Sequence, residues 1–495
     1  MFIRFLAVGS LIVLAAATGS LGADASRTVP SDGRAVAHAL NRLTFGPRPG
    51  DVARVQAVGL QSWIEQQLSP SRISDTSLEA RLARLTTLGL DSKTLAREFH
   101  VPAQMERRRR QAAGPPMNTD EPQIQGPQGS SPKPQVTETS RKDRQIVTDL
   151  AEAKLLRAVY SERQLEEVLV DFWFNHFNVF AGKGPERVWI GEYERVAIRP
   201  YVLGNFRQML GAVAKSEAML FYLDNWQSAA ADGPAPGLRP KGGGPFSRRP
   251  SGINENYARE LMELHTLGVD GGYTQQDVTA VARAFTGWTI GAPGRSGFRF
   301  DESRHDRGEK TVLGHVIKAG GGMSDGEQVL DILAADAATA RFIATKLAVR
   351  LVSDDPPAAL VDRAAARFTA TKGDLREVLR TIVTSPEFSA SDIYGTKVKT
   401  PLEFVASALR ATGADIRNAQ PLVRELRDMG MPLYFCNPPT GYDETAVAWV
   451  SSGALVARMN FAVALGDHTL RGVQLPATAG KALATTIGSP DFQRR

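Results

Sequence analysis

Cysteine is almost absent from this sequence, which holds a single one, Cys436. One thiol cannot form an intramolecular disulfide, and zinc clusters built on cysteine need at least two or three thiolates. Stability must therefore come from the burial of apolar side chains. Hydrophobic residues make up 42% of the chain, which is ample for one large domain or two closely packed ones.

Several short signatures of known chemistry are missing as well. The sequence has no His-Glu-x-x-His zinc motif. No Gly-x-Ser-x-Gly, Walker or Gly-x-Gly-x-x-Gly segment stands between a predicted strand and a predicted helix. No internal repeat of fixed period predicts a solenoid. The reaction, if there is one, must be argued from individual side chains.

The first 25 residues predict an export signal. Arg4 precedes the apolar run 5–21, and Ala23-Asp24-Ala25 provides the small-x-small pattern that signal peptidase accepts. The run is short for a bilayer and contains glycines, which favours cleavage over an uncleaved anchor. We expect an exported protein, periplasmic or extracellular, with no stable transmembrane span after cleavage.

Positive charge prevails over negative charge. The formal net charge is +6, and removal of the signal takes away one arginine and one aspartate. A basic exported protein can bind acidic polysaccharide, lipid head groups or a wall polymer as readily as nucleic acid. We keep an acidic polymer as a candidate partner and do not expect nucleic acid, although a merely soluble basic surface explains the same charge.

The patterning predicts a mainly α fold, a multi-helix globular domain with one small β-hairpin and long Gly/Pro-rich loops. The hairpin is predicted over about 298–317, and the clearest Gly/Pro-rich loop over 228–252. Residues 103–145 hold almost no large apolar side chains and predict a disordered insertion rich in Arg, Pro, Gly and Gln. The segments are a signal peptide (1–25), N-terminal helices (26–102), the insertion (103–145), a main helical domain (146–470) and a C-terminal tail (471–495).

The densest group of polar side chains lies in a predicted helix over 255–267. On a helical wheel, Asn256, Glu260 and Glu263 share one face with Arg259. If another element covers that face, the three become a carboxylate pair with an orienting amide, which general acid–base catalysis requires. The alternative is structural, since Glu255 and Arg259 have the spacing of an ordinary surface ion pair.

Three histidines are candidates for a further role. Helical periodicity turns His176 and His265 inward, where a histidine is more often a hydrogen-bonded core residue than a ligand. Two inward histidines on separate helices could nevertheless share a polar site. His305 falls in a predicted loop, where it could be a base, a ligand or neither. A metal site using these histidines stays open, and no cofactor is assigned.

Tryptophan beside Asp and Asn is typical of sugar-binding clefts, although half-buried tryptophan in helix packing is commoner. Such clusters occur at 222–226 and 287–288. The candidate catalytic residues are Asn256, Glu260, Glu263 and His305. The candidate binding residues are Asn175, His176, Asp224, Asn225, Arg259 and Trp288.

Long motifs are spread over most of the chain. They are HALNRLTFGP (38–47), DFWFNHFN (171–178), YLDN (222–225), NENYARELMELHTLG (254–268), YTQ (273–275), TGW (286–288), HD with GEK (305–310) and PTGY (439–442). Together they resemble the bacterial domain-of-unknown-function 1800 family. The resemblance implies an exported, largely helical protein, with a secreted sulfatase-like protein of the domain-of-unknown-function 1501 family as a partner encoded nearby. It supplies no activity, cofactor or catalytic residue.

The sequence is consistent with two functions. The first is an exported hydrolase or lyase acting on a cell-envelope or extracellular polymer, with its site on the 255–267 helix and the Gly/Pro-rich loop as a lid. Asn175, Asp224 and His305 would lie near that site. The alternative is a non-catalytic secreted binding or assembly protein that works with the partner encoded nearby. In that case the polar helix is a buried network that fixes the fold.

Overall fold

Helices dominate the structure, as the sequence predicts, and strands occur as short antiparallel pairs. The computed structural model describes residues 32–112, 137–230, 252–291, 297–477 and 482–495. The predicted signal peptide and most of the 228–252 loop lie outside the described residues. Within the described ranges, no helix has both the length and the apolar character needed to cross a bilayer.

The helices, in chain order, are α1 (Gly33–Leu43), α2 (Asp51–Val58), α3 (Leu60–Gln67), α4 (Thr76–Leu82), α5 (Ser92–Leu95), α6 (Val101–Ala112), α7 (Glu138–Tyr160), α8 (Gln164–His176), α9 (Ile190–Glu192), α10 (Phe206–Ala214), α11 (Glu217–Tyr222), α12 (Glu255–Glu263), α13 (Gln275–Ala284), α14 (Met323–Ala335), α15 (Ala337–Leu351), α16 (Ala358–Ala370), α17 (Leu375–Val383), α18 (Pro401–Thr412), α19 (Gln420–Asp428), α20 (Ser452–Gly466) and α21 (Leu483–Gly488). The strands are β1 (Trp288–Ile290), β2 (Phe298–Phe300), β3 (Lys310–Val312), β4 (His315–Ile317), β5 (Asp415–Ile416) and β6 (Val473–Gln474).

One continuous apolar core joins these elements, from Val36 in α1 to Ile487 in α21. Helix α8 lies deep inside it: eleven of its thirteen residues are buried, and seven of those are apolar. Trp173 has no exposed surface and contacts several aromatic rings. Truncation of so large a core residue to alanine costs about 3–5 kcal/mol. Helix α8 therefore positions the polar side chains at its end firmly.

The prediction of disorder over 103–145 is wrong at both ends of that segment. Residues up to 112 continue α6, and α7 begins at Glu138; residues 113–136 lie outside the described residues. The physical reason is a set of contacts between the two helices. Arg107 Nη2 lies 2.5 Å from a carboxylate oxygen of Asp143, and His100 Nδ1 lies 2.8 Å from the other oxygen. Charged side chains here hold helices together across a gap in sequence.

The single predicted hairpin is wrong in its pairing. Strand β2 pairs with β1, and β3 pairs with β4, in separate two-stranded sheets. Segment 311–317 is not one strand, because Leu313 and Gly314 both have positive φ, at 49° and 78°. A pair of such residues makes the tight turn that twists two strands into a hairpin. Strand β1 was missed because its three residues are all buried and show no alternation.

The described residues of the predicted C-terminal tail, 471–477 and 482–495, pack against the rest of the fold. Helix α21 packs on α20, and Arg494 forms an antiparallel bridge with Val398. The Arg495 N–H donates to the Lys397 carbonyl at 2.8 Å. The described end of the chain therefore lies beside the start of α18.

Candidate functional site

Helix α12, which carries the predicted catalytic residues, begins where the sequence predicts. The Asn254 side chain accepts a hydrogen bond from the Tyr257 N–H at 3.1 Å and donates to the Leu223 carbonyl at 2.7 Å. The regular helix ends at Glu263 rather than at 267. Beyond it, the Leu267 N–H donates to the Met262 carbonyl at 2.7 Å, a widened turn of five residues. This turn places 265–268 in the core.

The polar face of α12 brings the two predicted carboxylates together. Asn256 is exposed, whereas Glu260 and Glu263 are half-buried. Burial raises the pKa of Glu260, and the neighbouring Glu263 carboxylate raises it further. The Tyr273 hydroxyl donates to Glu263 at 3.1 Å. Glu260 and Glu263 are thus coupled, as general acid–base chemistry needs; that they act in catalysis stays a prediction.

Arg259 and Glu255 do not form the ion pair that their spacing suggests. Arg259 donates to the Gln275 side-chain oxygen at 2.8 Å, and the Gln275 amide donates to Glu255 at 2.8 Å. Gln275 at the start of α13 therefore bridges the two residues. This contact ties α12 to α13 and gives Arg259 a structural partner.

Asp224 is joined by Lys183 to the backbone of Tyr222, whose phenol lies near Glu260. Burial raises the pKa of Tyr222, and the Cys436 thiol and the Glu260 carboxylate raise it further. The Lys183 ammonium donates to the Tyr222 carbonyl at 2.6 Å and to the Asp224 carboxylate at 2.8 Å. Asp224 has φ of 61°, a left-handed conformation that an aspartate tolerates better than most residues. That Asp224 shares a site with the α12 carboxylates stays a prediction.

Asn225 and Trp288 are sealed in the core rather than displayed at a cleft. Neither residue has exposed surface. The Asn225 amide donates to the carbonyls of Phe285 and Trp288 at 3.1 and 3.2 Å. A Cβ on Gly326 would lie 2.5 Å from the Trp288 ring. Their contacts are those of packing residues, which for a tryptophan is the commoner case.

His176 and His265 do meet, in an aromatic interior. Their ring centroids are 6.3 Å apart, and His176 Nε2 lies 3.2 Å from the His265 carbonyl oxygen. Burial lowers the pKa of His265 to about 3 and that of His176 well below its usual value. Both rings are therefore neutral core groups. Across the described ranges, no three His, Cys, Asp or Glu side chains are arranged to hold a metal ion.

His305 is part of a buried network and not of an open loop. Its Nδ1–H donates to the Thr286 carbonyl at 2.8 Å, while Nε2 lies 3.1 Å from the Asp325 carboxylate. The Lys310 ammonium donates to the same carboxylate at 2.7 Å. The side chains of His305, Asp325 and Lys310 have no exposed surface. This network joins α13, β3 and α14, and a catalytic role for His305 stays a prediction.

Asn175 fixes the segment that follows α19. Its amide donates to the Tyr442 carbonyl at 2.7 Å, and its oxygen accepts from the Tyr442 N–H at 2.7 Å. Gly441, at φ of 72°, passes so close that a Cβ would lie 2.3 Å from the Asn175 carbonyl oxygen. Behind this contact is a cavity of about 30 Å³ that is also lined by Asp171 and Arg350. That volume holds only one or two water molecules.

The motifs at 171–178, 222–225, 254–268 and 439–442 thus pack around one another in the fold. A family model with the description "Protein of unknown function (DUF1800)" matches residues 38–494. The chain belongs to this family. No curated protein and no solved structure matches it. Membership of the DUF1800 family brings no activity with it, so function must be argued from side-chain chemistry.

A cleft of about 330 Å³ lies between α9, α11 and β2 of this DUF1800 chain, where the sequence predicts no site. Aromatic rings and charged groups line it together. The aromatic residues are Trp189, Tyr193, Tyr201 and Phe298, and the charged ones are Glu192, Lys215 and Glu217. Helix α9 continues into it as a π-helical segment, Tyr193–Ile198. Such irregular turns are frequent at functional sites.

The two carboxylates of this cleft have different surroundings. Glu192 accepts hydrogen bonds from the N–H and the hydroxyl of Ser92, the former at 3.0 Å. Glu217 accepts one from the Gly297 N–H at 2.7 Å. Burial raises the pKa of Glu217 against that hydrogen bond, and the Glu192 carboxylate raises it further. The pair therefore offers one carboxyl group poised to hold a proton beside another held by two donors.

Sequence reasoning missed this cleft because its carboxylates carry no local signal. Glu192 and Glu217 belong to separate helices, and no motif surrounds either of them. Ser92 and Gly297 come from still other parts of the chain. Only the fold brings the four residues together.

Proposed function

We propose that this DUF1800 protein is an exported hydrolase or lyase that acts on an extracellular or cell-envelope polysaccharide, with its site at the Glu192–Glu217 cleft. The single observation that carries the proposal is a pair of carboxylates in unlike surroundings, beside aromatic rings, in one open cleft. Where the surroundings of two carboxyl groups separate their pKa values, one group can act as the acid and the other as the base. The aromatic rings suit the apolar faces of sugar rings.

The chemistry assigns one role to each carboxylate. Glu217, whose pKa is raised, donates its proton to the glycosidic oxygen as the bond to the sugar carbon breaks. Glu192, oriented by Ser92, acts from the other side, either on a water molecule or on the sugar carbon itself. In a lyase, the Glu192 carboxylate would remove a proton from the ring carbon next to the one that bears the departing oxygen. The electron pair of that C–H bond would form a carbon–carbon double bond as the C–O bond breaks, and Glu217 would protonate the oxygen. Export is part of the proposal and rests on residues 1–25.

A second candidate for the catalytic pair is the one that the sequence predicted. Glu260 also has a pKa raised by burial and by a neighbouring carboxylate, Glu263. Two phenols, Tyr222 and Tyr273, lie beside this pair. The Glu192–Glu217 cleft is favoured because it combines a volume of about 330 Å³ with aromatic walls.

The test measures release of new chain ends from a panel of neutral and acidic polysaccharides by the mature protein. We expect Glu217→Gln and Glu192→Gln each to lower the rate by about 10²-fold or more, because each removes one proton-transfer partner. Glu79→Gln, on the exposed surface of α4, is the matched control and should leave the rate unchanged.

The remaining outcomes decide between the alternatives. If Glu260→Gln with Glu263→Gln abolishes turnover while the Glu192 and Glu217 variants remain active, the site lies on α12. If the protein turns over no polymer of the panel but retains one in a salt-sensitive pull-down, the non-catalytic binding function is favoured instead. In that case a sulfatase-like partner encoded nearby is the next protein to test.

A further inference from the structure

Buried positive charge is concentrated around the start of α18 and the described end of the chain. The buried cations are Arg42, Arg350, Lys397, Lys399, Arg458 and Arg495, each at most 4% exposed. Some are paired: Arg350 Nη2 and Arg495 Nη2 lie 3.0 and 3.1 Å from the same oxygen of Glu403. A buried cation is costly unless a carboxylate or other anion compensates it.

Three of these cations have no carboxylate partner among the described residues. Arg42 donates to the Ile393 carbonyl at 2.8 Å and to the Thr396 hydroxyl, but its Nε and Nη1 have no partner there. Lys399 lies over the Phe492 ring at 3.8 Å. Arg458 donates to the Lys399 carbonyl and to a glutamine side chain. Among the described residues, the region therefore holds more buried basic groups than carboxylate partners.

A groove of about 440 Å³ opens onto this region, between α1, residues 394–395 and residues 491–495. Arg34 and Arg494 are exposed at its rim. Arg495, in its wall, is buried and has Nε and Nη1 without partners in the described structure. His38, also in the wall, has an unpartnered Nδ1, and its ring stacks on Tyr394 at 4.3 Å. Buried polar atoms of this kind nearly always have a partner.

The electrostatics of the groove agree with a missing anion. Burial and, after it, the positive charge of Arg42 lower the pKa of His38 to about 3. Burial and then Arg495 lower the pKa of Arg42 to about 9. Glu403 and Asp354 raise the pKa of Arg42 against these effects. Among the described residues that line the groove itself, Asp491 is the acidic one. An anion seated here would relieve both the repulsion and the unpaired donors.

We propose that this groove binds an oxyanion, a phosphate, sulfate or carboxylate group, held by the guanidinium groups of Arg34, Arg494 and Arg495. Guanidinium forks match the paired oxygens of such groups and bind them through charge-assisted hydrogen bonds. Free ions and the repeating groups of an acidic polymer present the same chemistry. The groove is lined by residues other than those of the Glu192–Glu217 cleft, so the inference does not rest on the proposed catalysis.

The test is calorimetric titration of the mature protein with sodium phosphate and sodium sulfate, against sodium chloride at equal ionic strength. We expect saturable binding of one oxyanion and a higher melting temperature than in chloride, because a ligand that binds only the folded state stabilises it. Arg34→Gln with Arg494→Gln should weaken binding by about tenfold or more. Both positions are exposed, so the variant should fold.

Arg376→Gln with Arg424→Gln is the matched control, since it removes two exposed arginines elsewhere and gives the same net charge. Equal weakening in the control, or equal stabilisation by chloride, would mean general screening and would overturn the proposal. Competition by dextran sulfate or polygalacturonate for the groove would identify a polymer as the source of the oxyanion. Binding of inorganic ions without such competition would support a site for the free ion.

Discussion

Two regions of this protein, the buried network of Glu403 and the cleft of Glu217, shift the pKa of a carboxyl group in opposite directions. Burial alone would raise the pKa of Glu403, but Arg350 and Arg495 lower it to about 2. Burial also raises the pKa of Glu217, and there no arginine but a neighbouring glutamate adds to the effect. Desolvation is common to both sites, so the partner charge decides the outcome. A carboxylate held by arginines stays ionised, whereas one beside another carboxylate takes up a proton more readily.

The largest expected effect comes from removing the charge of Glu403. Glu403→Gln leaves Arg350 and Arg495 buried without their shared carboxylate, which should cost about 3–5 kcal/mol of unfolding free energy. Glutamine still suits the capping box that Glu403 forms with Thr400, so the variant isolates the charge. Urea unfolding at pH 7 measures the change.

The control for that variant is Glu387→Gln. Glu387 pairs with Arg363, whose side chain is 46% exposed. A surface pair of this kind contributes about 0–1 kcal/mol. If the two variants lose the same unfolding free energy, the buried Glu403 network stabilises the fold no more than a surface ion pair does. That result would contradict the role assigned to Glu403.

Much of the helical framework could be predicted from local sequence, because caps act over three or four residues. Asn254 begins α12, as predicted. The spacing of Thr274 and Asp277 fits a capping box, and the two residues form that box at the start of α13. The start of α8 could not be predicted in this way. The spacing of Ser161 and Gln164 fits a capping box, but α8 begins at Gln164 and has Arg163 as its N-cap residue. The Ser161 hydroxyl instead donates to Asp75, far away in sequence.

The candidate sites could be predicted only in part, for the same physical reason. Glu260 and Glu263 lie one turn apart on one helix, so their coupling follows from spacing alone. Glu192 and Glu217 meet only because the fold brings α9 and α11 together. The burial of His176 could be predicted from helical periodicity. The burial of His305 could not, because it involves a contact with Asp325 in α14, and no sequence pattern relates the two residues.

The role of Glu403 can also be tested by measuring the unfolding free energy as the pH is lowered. The folded-state pKa of Glu403 is lowered from 4.5 to about 2, so the folded protein binds fewer protons than the unfolded chain. Its contribution, about 3 kcal/mol from that shift, is therefore present above pH 4.5 and is lost as pH falls toward 2. Unfolding of the parent and of Glu403→Gln should converge in that window. Parallel curves for the two proteins would contradict the assigned pKa.

The smallest effect on stability is expected at Glu217. There the pH dependence of stability has the opposite sign to that at Glu403. Its raised pKa means that the folded state binds the proton more tightly, so stability falls as pH rises past the usual carboxyl value. Glu217→Gln removes this cost and should leave the protein equally stable or more stable at pH 7, by under about 1 kcal/mol. Thermal unfolding at pH 4 and pH 7 measures the difference. A loss of several kcal/mol at pH 7, like that of Glu403→Gln, would show that Glu217 also holds the fold together and would remove the contrast between the two regions.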